Sequence, residues 1–253
     1  EVTRLIFVPD GALHRLPFAA LMPEPGAEPI GARYQISFAP SATVWLRLRQ
    51  LPFTPAEAPA LAMAAPELSA NHKGRRPDPP GEAAAERAAI LASATRLGPL
   101  PHARREARTL ARHLGRGCRI LEGREASERS LKESGPGRFG ILHFAAHALV
   151  DDQNPGRSAV LLAPGADDED GLLQIREVVE LDLSGRTVVL SACRSASGTL
   201  LAGEGVLSLA RAFFVAGARA VVGNLWPVRD DEAAPLFEAF YRSLGKGKNL
   251  GEA

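Results

Sequence analysis

At 253 residues the chain is long enough for one large α/β domain or two small ones, and 45% hydrophobic residues supply a sizeable core. A formal charge of +1, from 30 basic and 29 acidic residues, argues against direct nucleic-acid binding, which usually rests on a clear basic excess. Two cysteines exclude a disulfide framework and point to a reducing, cytoplasmic setting. With neither a signal peptide nor an apolar run of about 18 residues, no membrane association is expected. The chain opens without methionine, as an excised domain or processed fragment would.

In chain order, β-prone runs predict strands at Leu5 to Val8 and Tyr34 to Phe38, the second leading into a helix capped by Ser41. A third strand is predicted at Ala60 to Ala64. Residues 69–81, rich in proline and glycine, read as a loop or linker between an N-terminal part (1–68) and a larger part (82–253). Apolar positions 103, 107, 110, 111 and 114 predict a helix over Ala103 to Leu114 that stops at Gly115. Its arginines Arg104, Arg105, Arg108 and Arg112 read as a solvated face.

Beyond it come a strand at Cys118 to Leu121, a helix at Ala126 to Glu133 and a strand at Phe139 to Ala146. They are followed by strand Ala159 to Leu162, helix Gln174 to Glu180 and strand Thr187 to Leu190. The last units are helix Val206 to Ala216, strand Ala218 to Val222 and helix Glu232 to Leu244. This alternation predicts an α/β fold whose mainly parallel central sheet is covered by helices on both faces, with the site at the strands' carboxyl ends.

Two of these strands end in a reactive side chain, His147 after Ile141-Leu-His-Phe-Ala-Ala and Cys193 after Val188-Val-Leu-Ser-Ala. Thiol and imidazole together make nucleophilic catalysis possible, because the thiolate is the nucleophile and an adjacent imidazole lowers its pKa. On placement alone, a small buried core residue is an equal reading of Cys193.

The strings His143-Phe-Ala-Ala-His147, Leu190-Ser-Ala-Cys193-Arg-Ser-Ala-Ser-Gly198, Gly203-Glu204-Gly205, Ala210-Arg-Ala-Phe213 and Asn224-Leu-Trp226-Pro-Val-Arg-Asp230 occur in that order. Upstream stand Phe7-Val-Pro-Asp-Gly-Ala-Leu-His14 and Phe38-Ala-Pro-Ser-Ala-Thr43. Together they resemble the CHAT domain, a branch of the caspase-like cysteine peptidases akin to separase and gingipain, over nearly the whole chain. The resemblance implies a caspase-like α/β/α sandwich and a cysteine endopeptidase with Cys193 as nucleophile and His147 as acid/base. His147 would either take the thiol proton or protonate the leaving amine, and the backbone N–H groups of Ala148 and Cys193 are the natural oxyanion donors. The family usually has glycine after the histidine. Alanine is strained there if the turn needs a positive φ, whereas an ordinary conformation leaves its N–H as a donor.

Asp151, Asp152 and Glu204, on loops past the histidine and the cysteine, are candidates to receive a basic substrate side chain. His143 reads as a hydrogen-bonded core histidine, Trp226 as a loop anchor, and Arg194 as either a thiolate-stabilising or a solvent-facing residue. No metal and no cofactor is expected; Gly203-Glu204-Gly205 lacks the third glycine of a dinucleotide fingerprint. The expected partners are a protein or peptide substrate and, by the resemblance, a regulatory protein or a fused helical-repeat module. A catalytically silent interaction module of the same fold is the alternative.

Overall fold

The computed structural model describes residues 2–51, 58–68, 98–115, 117–149, 155–165, 169–191, 204–224 and 228–253. Its centre is a five-stranded, all-parallel sheet in the order β10-β9-β5-β3-β4. The strands are β3 (Ala60–Pro66), β4 (Arg119–Gly123), β5 (Ile141–Ala145), β9 (Thr187–Leu190) and β10 (Ala220–Gly223). Every residue of β5 is buried, as a run apolar on both faces requires in the middle of a covered parallel sheet.

The alternation of side chains along β3 explains which helix lies on which face. Ala60, Ala62 and Ala64 point to one side, where their small size admits α3 (Ala103–Leu114) through Ala107 and Leu110, beside Phe237 and Tyr241 of α7 (Asp230–Gly245). Leu61 and Met63 point to the other side and pack with Leu131 of α4 (Glu128–Glu133), Val178 of α5 (Ile175–Val178) and Phe213 of α6 (Glu204–Val215). Helix α3 ends where sequence places it, at Gly115, whose φ of 86° glycine adopts without steric cost. Ser41 caps α2 (Ala42–Gln50) by accepting the Val44 N–H at 3.1 Å.

Two smaller sheets flank this body. Among the described residues, β1 (Arg4–Phe7) and β2 (Gln35–Phe38) pair in parallel only with each other, on a cluster of Phe7, Phe18 and Phe38. β6 (Ala148–Leu149), β7 (Ala159–Leu161) and β8 (Leu172–Gln174) form an antiparallel sheet, so the strand predicted at Ala159 to Leu162 lies outside the central one.

From β3 the chain runs outward to β4 and then returns to the other side of β3 as β5. The strand order therefore reverses between β3 and β5, and the α/β rule places a ligand crevice at the carboxyl ends there. At that end of β3, Ala65 has a φ of 45°, the one non-glycine positive φ among the described residues, beside a register shift between Ala64 and Pro66. Such strain collects at functional edges.

Candidate active site

His147 stands at this crevice. β5 pairs with β9 so that Phe144 lies beside Leu190, and the Ser191 N–H donates to the Phe144 carbonyl at 3.0 Å. His147 and Cys193 each follow one of these paired positions by three residues. Cys193 itself lies outside the described residues, as do Asp151, Asp152, the segment 69–81, Arg194 and Trp226.

His147 is 3% exposed, with Nε2 2.9 Å from the carbonyl oxygen of Gly98. A carbonyl can only accept, so Nε2 carries the proton, and in the neutral ring Nδ1 is the basic atom. Gly98 begins a stretch stiffened by Pro99 and Pro101. At its far end the His102 N–H donates to Asp230 Oδ2 at 2.8 Å, tying this stretch to the start of α7.

Ala148 is an ordinary strand residue, the first of β6 and without a positive φ, so alanine is not strained after the histidine. Leu161 N–H donates to the His147 carbonyl at 2.8 Å. That bond makes Ala148 and Val160 a non-hydrogen-bonded antiparallel pair, and the Ala148 N–H is therefore turned away from β7.

Two cavities meet at His147. The larger, about 680 Å³, lies over the carboxyl ends of β3 and β4, with Pro66, Leu68, Gly98, Pro101, Arg104 and His147 in its wall. The smaller, about 230 Å³, lies toward β9 and α7 and brings His147 and Ser191 together with Glu106, Asp230 and Asp231. Arg229 also lines it, but its guanidinium is engaged by Asp231 through two contacts of 2.7 and 3.0 Å. That hydrogen-bonded pairing lowers the Asp231 carboxyl below its usual range.

Beneath this cavity runs a buried polar chain. Tyr241 OH lies 2.7 Å from His143 Nδ1, and His143 Nε2 approaches Glu106 Oε1 to 2.8 Å at an angle too bent for an aligned hydrogen bond. Burial, and then the Glu106 charge, push the Tyr241 phenol well above its ordinary pKa. The phenol is thus the donor and Nδ1 the acceptor, which leaves the ring proton on Nε2 facing the carboxylate. His143 is the hydrogen-bonded core histidine its sequence context predicts, at 0% exposure. Among the described residues no three His, Cys, Asp or Glu side chains form a group that could hold a metal ion.

Glu204 is the first residue of α6. Sequence reasoning assigned no site role to Gly98, Glu106, Ser191 or Asp230. Two of them had a readable signal: Ser191 within the Leu190-Ser-Ala-Cys193 string, and Asp230 at the end of the Asn224-Asp230 string that follows β10. His14, His102 and His113 are half-buried. The arginines of α3 lie on a solvated face as predicted, Arg104 and Arg108 near Glu122 and Arg105 bonded to Glu238 at 3.2 Å.

No helix among the described residues is long and apolar enough to cross a membrane. The chain is similar to tetratricopeptide repeat protein 28 of Mus musculus, 31% identical over 192 residues, which covers 62% of this chain and 8% of that protein. It is 27% identical over 297 aligned residues to tetratricopeptide repeat protein 28 of Homo sapiens, covering 99% of this chain and 11% of that protein. The chain thus spans only about a tenth of the length of these relatives. A match to the CHAT domain, a family related to the caspase-like peptidases, runs over residues 1–253, the whole length, and the chain belongs to that family.

Proposed function

We propose that the chain is a cysteine endopeptidase in which Cys193 attacks a peptide carbonyl and His147 carries the proton. The observation that supports this most is His147 itself, held at the carboxyl end of β5 with Nε2 on the Gly98 carbonyl and Nδ1 left as the basic atom. Cys193 follows Ser191 by two residues, a reach of about 7 Å at full extension. Ser191 shares a cavity with His147.

In this reading the thiolate forms a thioester with the acyl half of the substrate, and the imidazolium gives its proton to the departing amine. Water then hydrolyses the thioester and returns the thiol. Backbone N–H groups of Ala148 and Cys193 hold the oxyanion. Because the leaving amine must lie by His147, the part of the substrate beyond the cut runs over β3 and β4, into the larger cavity. The acyl half lies toward β9 and α7, where Glu106, Asp230 and Asp231 against Arg229 favour a basic side chain. Asp151, Asp152 and Glu204 remain candidates for the same role.

We place the reaction in a reducing, cytoplasmic setting, under control of a partner or of repeats attached in a longer protein. A second reading is a catalytically silent interaction module, favoured by one observation: the two relatives are named for their repeats, not for a peptidase activity. Cleavage of a diverse peptide library, read by mass spectrometry for wild type, Cys193→Ala and His147→Ala, separates the two. Cuts lost in both variants support the peptidase. Cuts that persist in both refute the dyad. Absence of cleavage by the full-length protein with its partner bound supports the silent module.

A further inference from the structure

At the opposite end of the central sheet a third cavity, about 340 Å³, opens between the amino ends of the strands and the N-terminal β1-β2 unit. Its floor is formed by Gly140 and Ile141 at the start of β5, Thr187 at the start of β9 and Ala220 at the start of β10. Four of its lining residues are basic, namely Arg4 on β1, Arg49 on α2, Arg219 before β10 and Lys248 after α7, and none of the described lining residues is acidic. In a chain with 30 basic and 29 acidic residues, overall composition does not account for that local imbalance. On α3, by contrast, Arg104, Arg105 and Arg108 each have a glutamate within 4 Å. Among the described residues no carboxylate lies within that distance of Arg4, Arg49 or Lys248.

We propose that this cavity binds a small phosphorylated molecule. Clustered cations without counter-charges repel one another, and an anion entering between them removes that cost. Two of the guanidinium groups are already oriented: Arg4 donates through Nε to Gln35 Oε1 at 3.2 Å, and Arg49 lies over the Trp45 ring, 5.0 Å from its centroid. Fixed planar guanidinium groups match oxyanions bidentately, and ordering them beforehand lowers the entropy lost on binding. Arg219, anchored by its 2.8 Å bond to the Leu51 carbonyl, adds positive potential from the wall.

The three charges of Arg4, Arg49 and Lys248 call for more than one negative charge, and a phosphate group supplies roughly two at neutral pH. The volume falls in the range of small-ligand pockets. Walls on three sides, from β1 and β2, from the sheet ends and from residues 248–251, suit a compact molecule better than a through-running chain. Ile6, Leu244 and Leu250 offer apolar surface to the non-phosphate part.

Isothermal titration with inorganic tripolyphosphate tests this. We expect saturable one-to-one binding that weakens steeply between about 50 and 200 mM NaCl. Arg49→Glu and Lys248→Glu, both at exposed positions, should each weaken it by about tenfold or more, the effect of losing a charge-assisted contact. Arg112→Glu, the same charge change on the exposed face of α3, and His147→Ala should bind like wild type. The proposal is overturned by lack of saturable binding at millimolar probe, by equal weakening in Arg112→Glu and Arg49→Glu, or by tighter binding of citrate than of tripolyphosphate. Retained binding in His147→Ala separates this site from the proposed peptidase site, so either can fail without the other.

Discussion

The His147 imidazole and the Gly98 carbonyl, 49 positions apart in the chain, meet at 2.9 Å through Nε2. The bond fixes the tautomer, because the carbonyl has no proton to give. Two-bond 1H–15N spectra of the neutral ring should show the proton on Nε2 and a basic Nδ1. A proton on Nδ1 in those spectra would refute the orientation and the proton path drawn from it.

The dyad predicts large and equal kinetic losses. Cys193→Ala and His147→Ala should each lower kcat/KM by roughly 10⁴-fold or more, and the double variant should lose little beyond either single one, since groups that act as a unit are not additive. Measured losses that multiply would mean the two residues work independently.

Ala148 has an ordinary strand conformation, so restoring the family's usual glycine should change kcat by less than about threefold, with the N–H donor kept. A rise of about 10²-fold in Ala148→Gly would show that the oxyanion donor is misplaced in this chain, as loss of one such donor costs about that much.

Tyr241→Phe removes the donor to His143 Nδ1 at a fully buried position. Leaving that nitrogen unsatisfied should cost about 1–3 kcal/mol in urea denaturation. A variant as stable as wild type would mean that the phenol contributes nothing to the buried chain.

Glu128 gives the stability of the fold a pH dependence. Its side chain is 1% exposed, accepts the Gly171 N–H at 2.9 Å, and lies 3.4 Å from Lys132 Nζ. Burial, followed by a hydrogen bond to Glu177 and the charges of Glu177 and Asp170, pushes its pKa up to about 8 from an ordinary 4.5, with Lys132 opposing. The folded protein therefore keeps this proton where the unfolded chain has released it. Stability from this group is full below pH 4.5 and falls as pH rises toward about 8. Thermal melts should show Glu128→Gln flattening that decline and melting above wild type at pH 8. A wild-type Tm that rises steadily across the window, with no difference in the variant, would contradict it.

The helices and central strands were legible because burial leaves a pattern: Ala103, Ala107 and Leu110 recur at helical spacing, and β5 is apolar but for His143. β6 and β8, of two and three residues, hold too few positions to show any period, and β1 and β2 carry no mark of pairing only with each other. His147 was legible as a reactive side chain ending a buried strand, and Glu106 was not, because a carboxylate reads as solvated even where, as here, it shares the buried-face spacing of Ala103 and Leu110.

The amino-acid sequence by itself determined the longer helices, the central strands, the family, and the buried strand that leads to His147, since these depend on local pattern and residue chemistry. Only the tertiary structure decided that the Gly98 carbonyl fixes the imidazole, that Asp230 from α7 ties down the stretch presenting it, and that four cations surround a cavity at the other end of the sheet. Those depend on which distant segments the crossovers bring together, and contacts between residues far apart in the chain leave no periodic trace along it.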